Sequence, residues 1–139
     1  MNEVCTINHF DHVGVAVKDI EAALAFFRKV FDVPDAELVL MEDQGVRACL
    51  IEVGQTRLEL LEPTSPESGV GRFIERRGEG LHHLALNVTD ISKKLNGLQT
   101  LGVDLIDLSP REGLSGTIAF VHPKSVFGVL TELVENDSK

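Results

Sequence analysis

The sequence predicts an α+β fold built from two tandem modules, each ordered strand, helix, strand, strand, strand (βαβββ). Three observations predict it: an internal repeat, apolar runs that alternate with period two, and a capped amphipathic helix after the first strand of each copy. Sliding the chain by 71 positions places Phe10 to Phe31 over Leu81 to Gly102 with five identities: His12 on His83, Val17 on Val88, Asp19 on Asp90, Ile20 on Ile91 and Leu24 on Leu95. At an offset of 73, Glu59 falls on Glu132, Leu60 on Leu133 and Glu62 on Glu135. A length difference of two residues accounts for the change of offset.

Each element follows from local pattern. Phe10 to Val17 and Leu81 to Val88 are β-branched or apolar runs with period two, hence strands. Asp19 caps a helix whose Ile20, Leu24, Phe27 and Phe31 form one stripe. Asp90 does the same for Ile91, Leu95, Leu98 and Leu101, and Gly102 stops that helix. Strand-like runs then follow at Glu37 to Met41, Val46 to Val53 and Thr56 to Leu61. The second copy offers Asp104 to Leu108, Thr117 to Val121 and Gly128 to Val134. Between the copies, Val70 to Arg77 reads as a short helix in a segment rich in Pro, Ser, Gly and charge. The 139 residues are thus expected to be one domain, with module one at about 8–63, a linker at about 64–79 and module two at about 80–135.

Composition narrows the function classes. With 22 acidic against 13 basic residues the net charge is −9, which repels a phosphate backbone, and no Trp or Tyr is present to stack on bases. Nucleic acid is therefore not an expected partner. No window approaches the roughly 18 to 20 apolar residues of a membrane span, and the start MNEVCTINHF lacks the order of a signal peptide. A cytoplasmic protein without membrane partners is expected. Cys5 and Cys49 are the only cysteines, too few for a disulfide scaffold, and are read as reduced thiols.

Side chains alternate between the faces of a strand, so neighbours two apart reveal what a face is for. Val13, Val15 and Val17 share the face that packs under a helix, and His12, Gly14 and Ala16 share the other. The second copy repeats this, with Leu84, Leu86 and Val88 inward and His83, Ala85 and Asn87 opposite. Glu59 and Glu132 lie within apolar strands, where a carboxylate is costly unless paired or bound to a metal. Two His and two Glu thus occupy repeat-equivalent positions, 47 residues apart in one copy and 49 in the other. Imidazole plus carboxylate suits Co²⁺, Mn²⁺, Ni²⁺ or Zn²⁺ with positions open to a substrate.

The segments FDHVGVAVKDI, QGVRACLIEVGQTRLELLEP, RGEGLHHLALNV and FVHPKSVFGVLTEL carry a resemblance to the vicinal oxygen chelate superfamily. Within it, the chain resembles the methylmalonyl-CoA epimerases over about residues 9 to 135. The resemblance implies an eight-stranded, U-shaped sheet around a metal site, with His12, Glu59, His83 and Glu132 matching the family's ligands. It implies a divalent ion, Co²⁺ first, a small acyl-CoA substrate, a homodimer and a place in propionate metabolism. His82 faces the other way and is read as structural, while His122 and Lys124 fall in the family signature HPKS.

The implied reaction interconverts (2R)- and (2S)-methylmalonyl-CoA. A base takes the C2 proton, a metal-stabilised enolate forms, and an acid returns a proton on the opposite face. The resemblance assigns Glu132 as one catalytic carboxylate. Some members carry the second at the position of Ala48, so Glu59 and Glu52 are the candidates here. Lys124 and Arg111, with Arg47, are candidates for binding the anionic substrate. Three alternatives stand beside this reading: a glyoxalase-type lyase acting on a glutathione hemithioacetal, an extradiol dioxygenase, and a metal-free small-molecule-binding protein of the same fold. The fourth ligand, Glu59, counts against the dioxygenase, and the complete ligand set counts against the binding protein.

Overall fold

In the computed structural model, which describes residues 5–136, seven of the eight strand-like runs form strands, an eighth strand forms outside them and the capped stripes form helices. In chain order these are β1 (His9–Ala16), α1 (Ile20–Phe31), β2 (Val39–Met41), β3 (Val46–Val53), β4 (Thr56–Pro63), α2 (Gly69–Arg77), β5 (Gly80–Asn87), α3 (Ile91–Thr100), β6 (Arg111–Glu112), β7 (Thr117–Val121) and β8 (Thr131–Glu135). Short 3₁₀ turns cover Glu42–Gln44 and Pro123–Val126. The chain divides into two compact units, one running from His12 to His82 and the other joining the chain before His12 to the chain from His83 onward. No helix among the described residues is long and apolar enough to cross a membrane.

In the first unit the strands run in the order β2, β3, β4, β1, with β1 parallel to β4 and the other pairs antiparallel. The stripe of α1 places Ile20 and Leu24 in a core with Val17, Cys49, Ile51 and Leu60, and half-buried Val15 and Phe27 close over it. Burying each of these aliphatic side chains stabilises the unit by roughly 1.5–3 kcal/mol. The helix starts where the sequence places it, because the Asp19 carboxylate accepts a hydrogen bond from Ala22 N at 3.1 Å. Glu62 adds a second acceptor, its Oε2 taking the N–H of Ile20 at 3.1 Å. The linking helix α2 is capped by Ser68, whose Oγ accepts from Gly71 N at 3.0 Å. Gly71 is required there, since a Cβ would run into the carbonyl oxygens of Ser65 and Pro66.

The second unit repeats the plan with the order β5, β8, β7, β6 and a parallel β5–β8 pair. Ile91 and Leu95 of α3 pack with Val88, Ala119, Val121 and Leu133. Glu135 takes the N–H groups of Asp90 and Ile91 at 2.9 and 3.0 Å, the role Glu62 plays in the first unit. Four of the repeat identities, Val17/Val88, Ile20/Ile91, Leu24/Leu95 and Leu60/Leu133, are therefore the two helix–sheet cores themselves. A chain of side-chain amides on this unit runs from Asn8 through Asn87 to Asn136, which also donates to the buried Asp11.

Some boundaries differ from the sequence reading. Asp104 to Leu108 is not a strand: only Leu105 bridges to Val121, and Ile106 and Asp107 both donate to Phe120 O. The cause is Asp107, whose carboxylate takes the N–H of Phe120 at 2.8 Å and so occupies a ladder position with a side chain. The edge strand forms instead at Arg111–Glu112. The last strand begins at Thr131 and not at Gly128, because Phe127 and Gly128 turn through positive φ of 57° and 89°. Similarly, β2 is confined to Val39–Met41, shorter than the run from Glu37 suggests.

Candidate metal centre

Parallel pairing determines which side chains meet within each unit. In the first, Gly14 stands opposite Glu59, and His12, two residues back on the same face, reaches the carboxylate. The distance from His12 Nε2 to Glu59 Oε1 is 3.3 Å. In the second, Ala85 stands opposite Glu132, and His83 again lies two residues back. Here His83 Nε2 is 3.0 Å from Glu132 Oε1. Small residues at 14 and 85 leave the space through which imidazole and carboxylate approach.

All four side chains are buried, with exposures of 1% for His12, 7% for Glu59, 6% for His83 and 3% for Glu132. A buried carboxylate costs several kcal/mol unless a cation or hydrogen-bond donors compensate it. Each unit thus presents one imidazole nitrogen beside one carboxylate, His12 with Glu59 in one and His83 with Glu132 in the other. The donor set of nitrogen and oxygen atoms fits a first-row divalent ion and lacks the thiolates of a closed structural zinc site. Cys49 does not contribute: it points into the helix–sheet core, where burial pushes its thiol up to about 11.

The remaining candidates have diverse placements. Ala48 is buried on the face of β3 that also carries Leu50, the residue opposite Glu59, so the register leaves a methyl group where a second carboxylate would stand. Glu52 is exposed near the end of β3, opposite Arg57. Lys124 lies in the 3₁₀ turn capped by His122, with a 74% exposed side chain 3.5 Å from Asp104. Arg47 belongs to the opposite face from Glu59, where its Nε donates to Glu62 at 2.8 Å and Glu21 lies 3.6 Å away. That pairing withdraws it from the basic residues available to a substrate on the histidine face. The hydrogen bond and charge of Glu62 raise the Arg47 pKa above its ordinary value. His82 faces away from His83 and packs edge-on against Phe73 of α2 at 5.0 Å, the structural role read from the sequence.

Arg111 opens β6 on the face that carries Glu132. Its partner Ile118 and the Phe120–Glu132 pair are two residues apart on β7, which puts all four side chains on one side. Contacts agree with the register: the guanidinium carbon lies 5.7 Å from the Phe120 ring centroid, and the His83 ring meets Phe120 edge-on at 5.6 Å. Sequence reasoning did not single out Phe120 or Asp107. Phe120 was recoverable from its spacing to His122, and Asp107 from being the one carboxylate inside the run from Leu105 to Leu108.

The comparisons with known proteins agree with this architecture. Residues 11–120 match the family model of the Glyoxalase/Bleomycin resistance protein/Dioxygenase superfamily. The mitochondrial methylmalonyl-CoA epimerase of Mus musculus is 32% identical, over 94% of this chain and 74% of that protein. The ethylmalonyl-CoA/methylmalonyl-CoA epimerase of Cereibacter sphaeroides is 32% identical, over 91% of this chain and 97% of that protein. Among solved structures, a Streptomyces coelicolor methylmalonyl-CoA epimerase variant in complex with 2-nitronate-propionyl-CoA superposes with a TM-score of 0.89. It is 33% identical and the match covers 96% of this chain and 97% of that one. Such a match makes the eight-stranded α+β arrangement of those epimerases the fold of this protein as well. The chain therefore belongs to the Glyoxalase/Bleomycin resistance protein/Dioxygenase superfamily, and within it to the family that includes the methylmalonyl-CoA epimerases.

Proposed function

We propose that the protein is an epimerase that interconverts (2R)- and (2S)-methylmalonyl-CoA, with His12, Glu59, His83 and Glu132 as the ligands of a divalent ion. The observation that carries this reading is the recurrence of one imidazole–carboxylate pair in each unit, at 3.3 and 3.0 Å, in a chain whose relatives are named epimerases. Co²⁺ is the ion we assign first, with Mn²⁺, Ni²⁺ and Zn²⁺ as alternatives, and the reading extends to a cytoplasmic homodimer serving propionate metabolism. When bound, such an ion supplies Lewis-acid stabilisation to the negative charge that develops on the acyl oxygens.

The chain's own residues do the rest. The Glu132 carboxylate accepts the proton as the C2–H bond breaks, and the bonding pair moves into the thioester and carboxylate system. Return of a proton to the opposite face of C2 gives the other epimer. His83 positions Glu132 from one side, and the apolar Ala85, Ile118 and Val134 around it keep water from solvating the base. For the second proton transfer we assign Glu59, which is buried beside His12, ahead of the exposed Glu52. On the substrate side, we assign Arg111 and Lys124 to the anionic groups of the ester.

Deuterium uptake at C2 of a single epimer in D₂O tests the proposal, with Co²⁺-loaded protein compared against chelated protein. Rapid ion-dependent uptake is expected. Uptake no faster than the blank would overturn the epimerase reading and bring forward turnover of methylglyoxal with glutathione.

A further inference from the structure

Arg111 is held on two sides. Its Nε donates to Asp107 Oδ1 at 3.2 Å, and Asp107 Oδ2 is committed to the N–H of Phe120 at 2.8 Å. The Asp107 side chain is 17% exposed, so the anchor is largely withdrawn from water, while Arg111 keeps 37% exposure. Below the guanidinium lies Phe120, whose ring also meets the His83 ring edge-on. Phe120 stands directly opposite Glu132 in the β7–β8 register. A guanidinium over that ring is therefore about one strand spacing, roughly 5 Å, to the side of the Glu132 strand.

Because Asp107 takes Nε, the hydrogen bonds described for Arg111 leave its two terminal nitrogens as a fork on the face that carries His83 and Glu132. Planar carboxylates are matched by such a fork through two parallel bonds. One polar contact, to an aspartate itself fixed by the Phe120 N–H, and one ring contact restrict the side chain before any ligand arrives, which lowers the entropy lost on binding. In a protein of net charge −9, a half-buried and oriented cation beside the candidate base is a local exception to the field that would otherwise repel an anionic acyl group.

We propose that Arg111, fixed by Asp107 and Phe120, recognises the free carboxylate of a malonyl-type thioester and so makes the site selective for dicarboxylic over neutral acyl-CoA esters. This rests on the epimerase reading and names the group within the substrate that Arg111 reads. Lys124, exposed on a turn and opposed by Asp104, is left to the more distant phosphates.

Isothermal titration of the ion-replete protein with malonyl-CoA and with propionyl-CoA tests the proposal, since the two esters differ only in carrying a carboxylate or a methyl group on C2. Arg111→Gln is expected to weaken malonyl-CoA at least tenfold and propionyl-CoA less than twofold. Arg111→Lys retains the charge and the stem over Phe120 but loses the fork, so a loss of about threefold confined to malonyl-CoA is expected. It also serves as the test should Arg111→Gln not fold. Equal losses for both esters, or unchanged malonyl-CoA binding in both variants, would overturn the role of Arg111 alone. A wild-type protein that binds malonyl-CoA no more tightly than free CoA would instead overturn the epimerase reading on which it rests.

Discussion

His83 and Glu132 lie on adjacent parallel strands with Nε2 and Oε1 3.0 Å apart, both side chains no more than 4% exposed. A carboxylate so placed is poorly solvated and oriented, which suits a base that must meet a carbon acid in one geometry. Glu132→Gln keeps shape and volume but removes the basic oxygen. C2 deuterium exchange, followed by mass spectrometry, is expected to fall by about 10²- to 10⁴-fold. The thermal midpoint measured in the presence of chelator is expected to move little, which separates loss of chemistry from loss of fold.

Ion binding and folding should be linked. All four candidate donors are buried, and a bound divalent ion would offset the cost of burying their carboxylates. An ion present at 100 times its dissociation constant adds about 2.7 kcal/mol to stability. For a chain of this size that is a rise of several degrees in the thermal midpoint. Calorimetry with Co²⁺ and with a chelator measures it, and identical midpoints would sink the metal assignment.

Glu62 carries a load the function does not share. Its Oε2 takes the N–H of Ile20 and its Oε1 the Nε of Arg47, at 3.1 and 2.8 Å, so one carboxylate caps α1 and ties it to β3. Glu62→Ala is expected to cost about 1–2 kcal/mol, the scale of a lost cap. Urea denaturation should show a lower midpoint with an unchanged slope. Exchange activity per folded molecule should stay within twofold, because the side chain lies on the helix face of the sheet.

The repeat made much of this legible in advance. His12/His83 and Glu59/Glu132 stand out because a polar residue that recurs within apolar strands needs a partner, and the structure supplies one in each unit. The same alignment paired Glu62 with Glu135, yet their capping role was not readable, since sequence does not say which N–H a carboxylate will meet. Asp107 defeated the reading of Asp104 to Leu108 for a related reason: a side chain replaced a ladder bond, which period-two alternation does not record. Arg111 was named as a basic residue, but its face depended on the register of a two-residue strand, which composition and spacing leave undetermined.

Cys49 gives a pH prediction. Burial is the main cause of its raised thiol pKa, about 11 against an ordinary value of 9.0, with the nearby Glu59 and Asp35 charges adding to it. At pH 8 the native protein should therefore resist iodoacetamide at Cys49, while both cysteines react in denaturant. Because the folded pKa is raised, the stability tied to the protonated thiol is complete below about pH 9 and is lost as pH rises toward 11. Denaturation midpoints between pH 8 and 11 read that slope, and Cys49→Ser, titrating outside this window, should flatten it. An unchanged slope would assign the alkaline loss to other groups.

The two candidates for the second proton transfer differ in where the strands leave them. Glu52 is exposed near the end of β3, seven residues before Glu59 in sequence, while Glu59 is buried with an oxygen 3.3 Å from His12. With Ala48 offering only a methyl group on its face of β3, Glu59 is the carboxylate we assign to the second transfer. Glu52→Gln is expected to leave C2 exchange within twofold of wild type. Glu59→Ala removes an ion donor and the second proton acceptor together, so weaker Co²⁺ affinity by titration and a large loss of epimer interconversion are expected. The diagnostic is the ratio of the two rates at saturating Co²⁺. Deuterium exchange that survives while interconversion fails would assign Glu59 to the second face of C2, whereas a parallel loss of both would confine it to holding the ion. A Glu52→Gln variant that exchanges as slowly as Glu59→Ala would reverse the assignment and require β3 to bring its end onto the substrate.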